Sequence, residues 1–165
     1  MRVLGIDTSL RSTGVGVVES LAGKTLALEY GRIHNPDRIL LSECLRRIDG
    51  GIREIIARAR PDVAAIEDIF FAKNARTAMV LGEARGVVIA ACASCGIPVY
   101  EYAPRRVKQS VTGSGAADKQ QVRKMIMVLL GLKTDPQEDA GDALAIALCH
   151  LNSRSPAAEL QPKPI

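Results

Sequence analysis

The sequence predicts an α/β protein built on a five-stranded sheet of mixed direction flanked by helices. Two observations carry that expectation. Near the N-terminus three apolar, β-rich runs follow one another with short polar connections, the pattern of an antiparallel meander. Further on, "VAAIED" and "IPVYEYA" bracket a long helical segment, and strand, helix, strand in that order implies a parallel crossover. With 165 residues, 47% of them hydrophobic, and a mean hydropathy of +0.09, a single domain has enough apolar material for a core. The domain is expected over residues 1–152. Residues 153–165, with three prolines in a polar setting, are expected to be a disordered tail.

The elements follow in order. "RVLGID" is a short apolar run closed by Asp7, "STGVGVVES" follows a turn-like "TSLR", and "KTLALEYGRIH" completes the meander. "NPDRILLSECLRRIDGGIREIIARARPD" reads as a helix, with Asn35 as N-cap and Pro36 at the first helical position. Ile48, Ile52, Ile55, Ile56 and Ala59 keep helical period across Gly50 and Gly51. Each glycine costs about 1 kcal/mol inside a helix, so a kink or a close packing contact is expected there. "VAAIED" reads as a buried strand, "NARTAMVLGEARGVVIAACASC" as a long helix and "IPVYEYA" as a strand. "PRRVKQSV", a flexible "TGSGAA", the helix "DKQQVRKMIMVLLGL" and a last helix from Asp139 end the domain. This is the element order of the ribonuclease H-like architecture, which does not by itself give a function.

Composition excludes several classes. The longest apolar stretches, such as "GVVIAACASCG", read as too short to span a bilayer, and "MRVLGID" offers no export signal, so a cytoplasmic protein without a membrane partner is expected. Cys44, Cys92, Cys95 and Cys149 are then expected to be free thiols, and "CASC" lacks the second pair and the histidine that a zinc site needs. With only His34 and His150 available, any catalysis falls to carboxylates. The net charge of +4 is unevenly spread: Arg105, Arg106, Lys108, Lys119, Arg123 and Lys124 crowd one stretch against Asp118 alone. Such a strip suits either a polyanion or an ordinary solvated helix face.

The carboxylates fall at the ends of apolar runs. Asp7 closes the first strand, Glu67 closes the fourth, and "EDAGDALAIALCHL" places Asp139 and Asp142 one helical turn apart. Taken alone, that last pair suits either a helix cap favoured by the dipole or a cation site. Adjacent strand ends lie about 5 Å apart, so Asp7 and Glu67 become neighbours if their strands pair. Four unpaired carboxylates in one cleft repel unless divalent cations neutralise them, and an all-oxygen donor set points to Mg²⁺ or Mn²⁺. A pair of such ions about 3.5–4 Å apart is the device that cleaves phosphodiesters. Phe70 and Phe71, just past Glu67, suit either a core or a base-stacking role. "GSGAADK" is not a P-loop, since no Ser or Thr follows Lys119.

"RVLGID", "AIEDIFFAKN", "LGEARGVVIAA", "YEYAPRRVKQSVTGSGAADKQQVRKMI" and "DAGDALAIALCH" together resemble the RuvC family of Holliday junction resolvases, over roughly Arg2 to Asn152. The resemblance implies that Asp7, Glu67, Asp139 and Asp142 are catalytic and bind Mg²⁺, two ions per site, with Mn²⁺ able to substitute. It implies a homodimer that nicks two opposed strands of four-way junction DNA symmetrically, leaving 5′-phosphate and 3′-hydroxyl ends, in recombination and repair alongside the branch-migration proteins RuvA and RuvB. It also implies that Phe70 stacks on a junction base and that Lys108 and Lys119 contact DNA near the scissile phosphate. For Arg105, Arg106 and Arg123, charge alone suggests phosphate contact. Where the family usually runs Asp-Pro-Gly this chain has "DTSLRSTG", so an altered turn beside Asp7 is expected.

Overall fold

A computed structural model describes residues 1–68, 74–153 and 162–165. The sheet has five strands: β1 (Arg2–Asp7), β2 (Ser12–Leu21), β3 (Lys24–His34), β4 (Val63–Glu67) and β5 (Val99–Tyr102), in the order β3-β2-β1-β4-β5. The meander pairs antiparallel, while β4 joins β1, and β5 joins β4, in parallel. The helices are α1 (Leu41–Ala59), α2 (Ala75–Ser94), α3 (Pro104–Thr112), α4 (Lys119–Leu130) and α5 (Glu138–Asn152). This is the α/β mixed sheet the sequence predicts.

Strand alternation divides the core into two layers. Leu4, Ile6, Ala64 and Ile66 face α1 and α2 and pack with Ile48, Ile52, Ala84 and Val88. Val3, Val63 and Ala65 face the other way, onto Leu144, Ala147 and Leu148 of α5 and Val122 and Ile126 of α4. The same alternation turns Gly5 and Asp7 of β1, and Glu67 of β4, towards the α5 face.

Three local expectations are corrected. Asn35 does not cap α1, whose N-cap is Leu40; it is fully buried, and its Nδ2 donates to the carbonyls of Leu10 (2.8 Å) and Cys44 (3.2 Å), stitching the turn after β1 to the helix. Asp139 does not cap α5, because Gln137 holds that position without a side-chain bond and Asp139 lies inside the first turn. The 20-residue α2 is, by length and composition, long and apolar enough to cross a membrane, contrary to the reading that every such stretch is too short. Ala84, Val88, Ala91 and Cys92 on it pack into the core between α1 and the sheet.

The glycine pair behaves as the helical period implies: α1 runs unbroken, and Gly51 lies so close to β3 that a Cβ there would come within 2.7 Å of Ile33 Cδ1. All four cysteines are free. At the C-terminal end, Ser153 caps α5 and the Ile165 N–H donates to Val99 O at 2.9 Å, so the last residue lies beside β5. Residues 154–161 of the expected tail lie outside the described residues.

Candidate active site

Register places the first two carboxylates. β1 and β4 run in parallel with Ile6 opposite Ile66, so Asp7 and Glu67 are the next residues of two adjacent strands, on one face. α5 covers that face at very short range because the sheet beneath it lacks side chains. A Cβ on Gly5 would fall 2.8 Å from Ala147 N, and one on Gly14 would collide with the Asp139 carbonyl oxygen. With α5 seated so low, Asp139 and Asp142 in its first two turns come down beside the strand ends.

The turn after Asp7 takes part. Ser12 Oγ donates a short hydrogen bond to Asp139 Oδ2, and Thr13 Oγ1 closes the turn on Ser9 O at 2.5 Å. Lys119, at the head of α4, binds Glu138 and stands 3.7 Å from Asp142 Oδ2. Asp118 sets that head with a capping box: it accepts from Gln121 N at 2.8 Å, while its own N–H donates to Gln121 Oε1 at 2.9 Å. The cleft, about 340 Å³, is lined by Asp7, Glu67, Lys108, Lys119 and Asp142 together with the apolar Val107, Val122 and Ile146.

Electrostatics mark the cleft as charge-frustrated. Burial, then the charges of Asp142, Glu67 and Asp139, push Asp7 up to about 7. Burial and Asp142 raise Glu67 against the opposing pull of Lys108 and Lys119; burial also raises Asp142, against Lys119. The hydrogen bond that Lys119 donates to Glu138 raises Lys119, keeping it charged. An all-oxygen, mutually repelling donor set fits a hard divalent cation. As the side chains stand, no three His, Cys, Asp or Glu among the described residues are gathered closely enough to hold one. Mutual repulsion opposes that gathering, and positive charge between them turns it into attraction.

The family whose description is "Crossover junction endodeoxyribonuclease RuvC" matches residues 3–150. The chain belongs to the RuvC family. Curated members include one from Caldicellulosiruptor saccharolyticus, 46% identical over 94% of this chain and 95% of its own length, and one from Tolumonas auensis, 51% identical over 92% and 87%. Among solved structures, Thermus thermophilus RuvC in complex with a Holliday junction substrate superposes with a TM-score of 0.91 at 36% identity, over 100% of this chain and 99% of that one. The yeast mitochondrial Holliday junction resolvase Ydc2, at 12% identity and a TM-score of 0.67, covering 91% of this chain and 77% of its own, shares the fold. The RuvC family consists of metal-dependent nucleases.

In this RuvC-family chain the remaining candidate residues are distributed unevenly. Lys108 and Lys119 border the cleft. Arg105 and Arg106 are exposed on the first turn of α3, with Arg106 stacked 5.4 Å over the Tyr102 ring. Arg123 is half-buried and committed to the loop before α5, donating to Asp135 Oδ1 at 2.5 Å and to Pro136 O at 3.0 Å. Phe70 and Phe71 lie outside the described residues. Sequence reasoning missed Ser12 and Glu138, whose partners are 127 and 19 residues away in the chain. It also missed Gly5, although a lone glycine in a buried strand is a readable sign of close backbone approach.

Proposed function

We propose that this chain resolves four-way DNA junctions by paired, symmetric phosphodiester hydrolysis, with Asp7, Glu67, Asp139 and Asp142 as its catalytic, metal-holding carboxylates. The observation that carries the assignment is the meeting of two neighbouring strand-end carboxylates with the acidic head of α5 in a cleft bordered by Lys108 and Lys119. Mg²⁺ is the metal, two ions to a site, with Mn²⁺ able to substitute. When bound, the ions supply the charge that activates the attacking water and stabilises the departing 3′-oxygen, leaving a 5′-phosphate.

The protein's own groups do the rest. The four carboxylates hold the ions, and Asp7, raised to about 7, sheds its proton as positive charge arrives. Lys108 and Lys119 hold the phosphate backbone at the rim, and Arg105 and Arg106 extend that contact along α3. Arg123 reaches phosphate only if its bonds to Asp135 and Pro136 open. Phe70 stacks on a junction base near the cut. A homodimer formed through the small residues on the outer face of α2 supplies two such sites for opposed strands, and RuvA and RuvB deliver the junction in the cytoplasm.

The deciding experiment is cleavage of a labelled synthetic four-way junction beside a linear duplex of the same sequence, with and without Mg²⁺. Paired nicks confined to the junction and dependent on the metal are expected. A junction that is bound but left intact with every divalent ion would make the chain a binding module.

A further inference from the structure

Arg85 projects from the middle of α2 towards the strand end that carries Glu67. Its Nη1 donates to the Glu67 carbonyl oxygen at 2.9 Å and its Nη2 to Glu101 Oε1 of β5. Beside it the N–H of Asp68, the residue after Glu67, donates to Tyr102 O at 2.9 Å, tying the end of β4 to β5. Only 14% of the Arg85 side chain is exposed. Withdrawing a guanidinium from water is costly, and an apolar side chain would fill the space as well. The planar fork does what an apolar residue cannot: one side takes a backbone carbonyl at the end of β4, and the other takes the carboxylate beside it.

We propose that Arg85 is a positioning residue for Glu67. The Glu67 carboxylate lies on the α5 face, whereas Arg85 grips the same residue's backbone from the α2 side, so the strand end is held from both faces. The direction in which the carboxylate leaves the strand follows from that grip. Arg85 thereby connects α2 to the strand end that carries Glu67. The inference rests on the reading of Glu67 as a metal-holding catalytic residue.

The test uses the full chain with R85Q, R85K and E101Q, with E67Q as reference. The readouts are single-turnover junction cleavage, the Mg²⁺ concentration for half-maximal rate, junction affinity in Ca²⁺, thermal melting, and Mn²⁺ binding by calorimetry without DNA. R85Q is expected to slow cleavage by about tenfold or more, as small misplacements of catalytic groups do. It should also raise the Mg²⁺ requirement and weaken Mn²⁺ binding, with junction affinity unchanged. R85K, which keeps the charge but not the fork, should fall between R85Q and wild type. E101Q, which leaves the Glu67 carbonyl bond in place, should show the same defects in weaker form. Wild-type rate and Mn²⁺ binding in R85Q would overturn the inference, as would a loss of rate matched by equal losses of melting temperature and junction affinity. If E67Q itself cleaves normally, the reading of Glu67 fails; if E67Q is inactive while R85Q is normal, only the positioning role fails.

Discussion

Gly14 on β2 lies directly beneath Asp139 on α5: a Cβ added to Gly14 would strike the Asp139 carbonyl oxygen and approach Asp139 Cβ to 3.1 Å. The acidic head of α5 is therefore low over the sheet because β2 carries no side chain there. Gly14→Ala has to lift the helix start or bend the strand, at about 1–3 kcal/mol of overpacking. Thermal melting should fall accordingly, and cleavage should fall further than stability alone explains because Asp139 and Asp142 move. A variant that melts lower yet cleaves at wild-type rate would separate helix height from catalysis.

Ser12 gives Asp139 a fixed orientation by donating to its Oδ2. Ser12→Ala removes that donor and little else, and a hydrogen bond of this kind contributes ~1 kcal/mol net. The expected outcome is a severalfold slower cleavage rate with unchanged junction affinity, read in single-turnover assays. An unchanged rate would show that Asp139 needs no help from the turn.

The acid cluster costs stability at neutral pH when no cation is present. Asp7 sits near 7 in the folded protein against 3.8 ordinarily, so between those values the folded state holds more protons than the unfolded one. Stability then falls as pH rises through that window, and Glu67 and Asp142, also raised, act in the same direction. In EDTA, Asp7→Asn should therefore stabilise the protein above pH 7, by on the order of 1–4 kcal/mol. Mg²⁺ should raise the melting temperature of the wild type more than that of the variant. Melting curves from pH 5 to 8 with and without Mg²⁺ check both; equal pH slopes for the two proteins would contradict the assignment of Asp7.

Lys108 and Arg123 belong to the same basic strip but should behave differently. Lys108 borders the cleft, so Lys108→Ala should weaken junction binding and reduce the slope of log affinity against log salt by about 1. Arg123 is bonded to Asp135 and Pro136, so Arg123→Ala should loosen the loop before α5, costing up to about 1 kcal/mol of stability, with little change in salt slope. Salt titrations of junction binding, alongside melting, distinguish the two.

How far the sequence could be read follows from the range of the interactions. The strands and helices repeat at local periods, so β1 to β5 and the carboxylates closing β1 and β4 were legible, whereas the pairing of β1 with β4 that makes those carboxylates neighbours was legible only as a condition that the register now meets. The exceptions lie where a side chain serves a distant partner. Asn35 carries the local signature of a helix cap, yet tertiary burial gives it to the carbonyls of Leu10 and Cys44. Arg85 looks like one charge on an exposed helix face, and only the β4–β5 ladder brings Glu67 and Glu101 within its reach. Asp139 shows both sides: its spacing from Asp142 drew notice at once, but the glycines that seat it and the serine that orients it are over a hundred residues away.

The most direct test of the cleft compares Asp7→Asn, Glu67→Gln and Asp142→Asn with the wild type on one labelled four-way junction, measuring affinity in Ca²⁺ and cleavage in Mg²⁺. The expected result is wild-type affinity, or tighter as negative charge is removed, with cleavage lost in all three. Normal cleavage in any of them, or binding lost together with cleavage in all three, would contradict a site in which these carboxylates perform the chemistry while the basic residues hold the DNA.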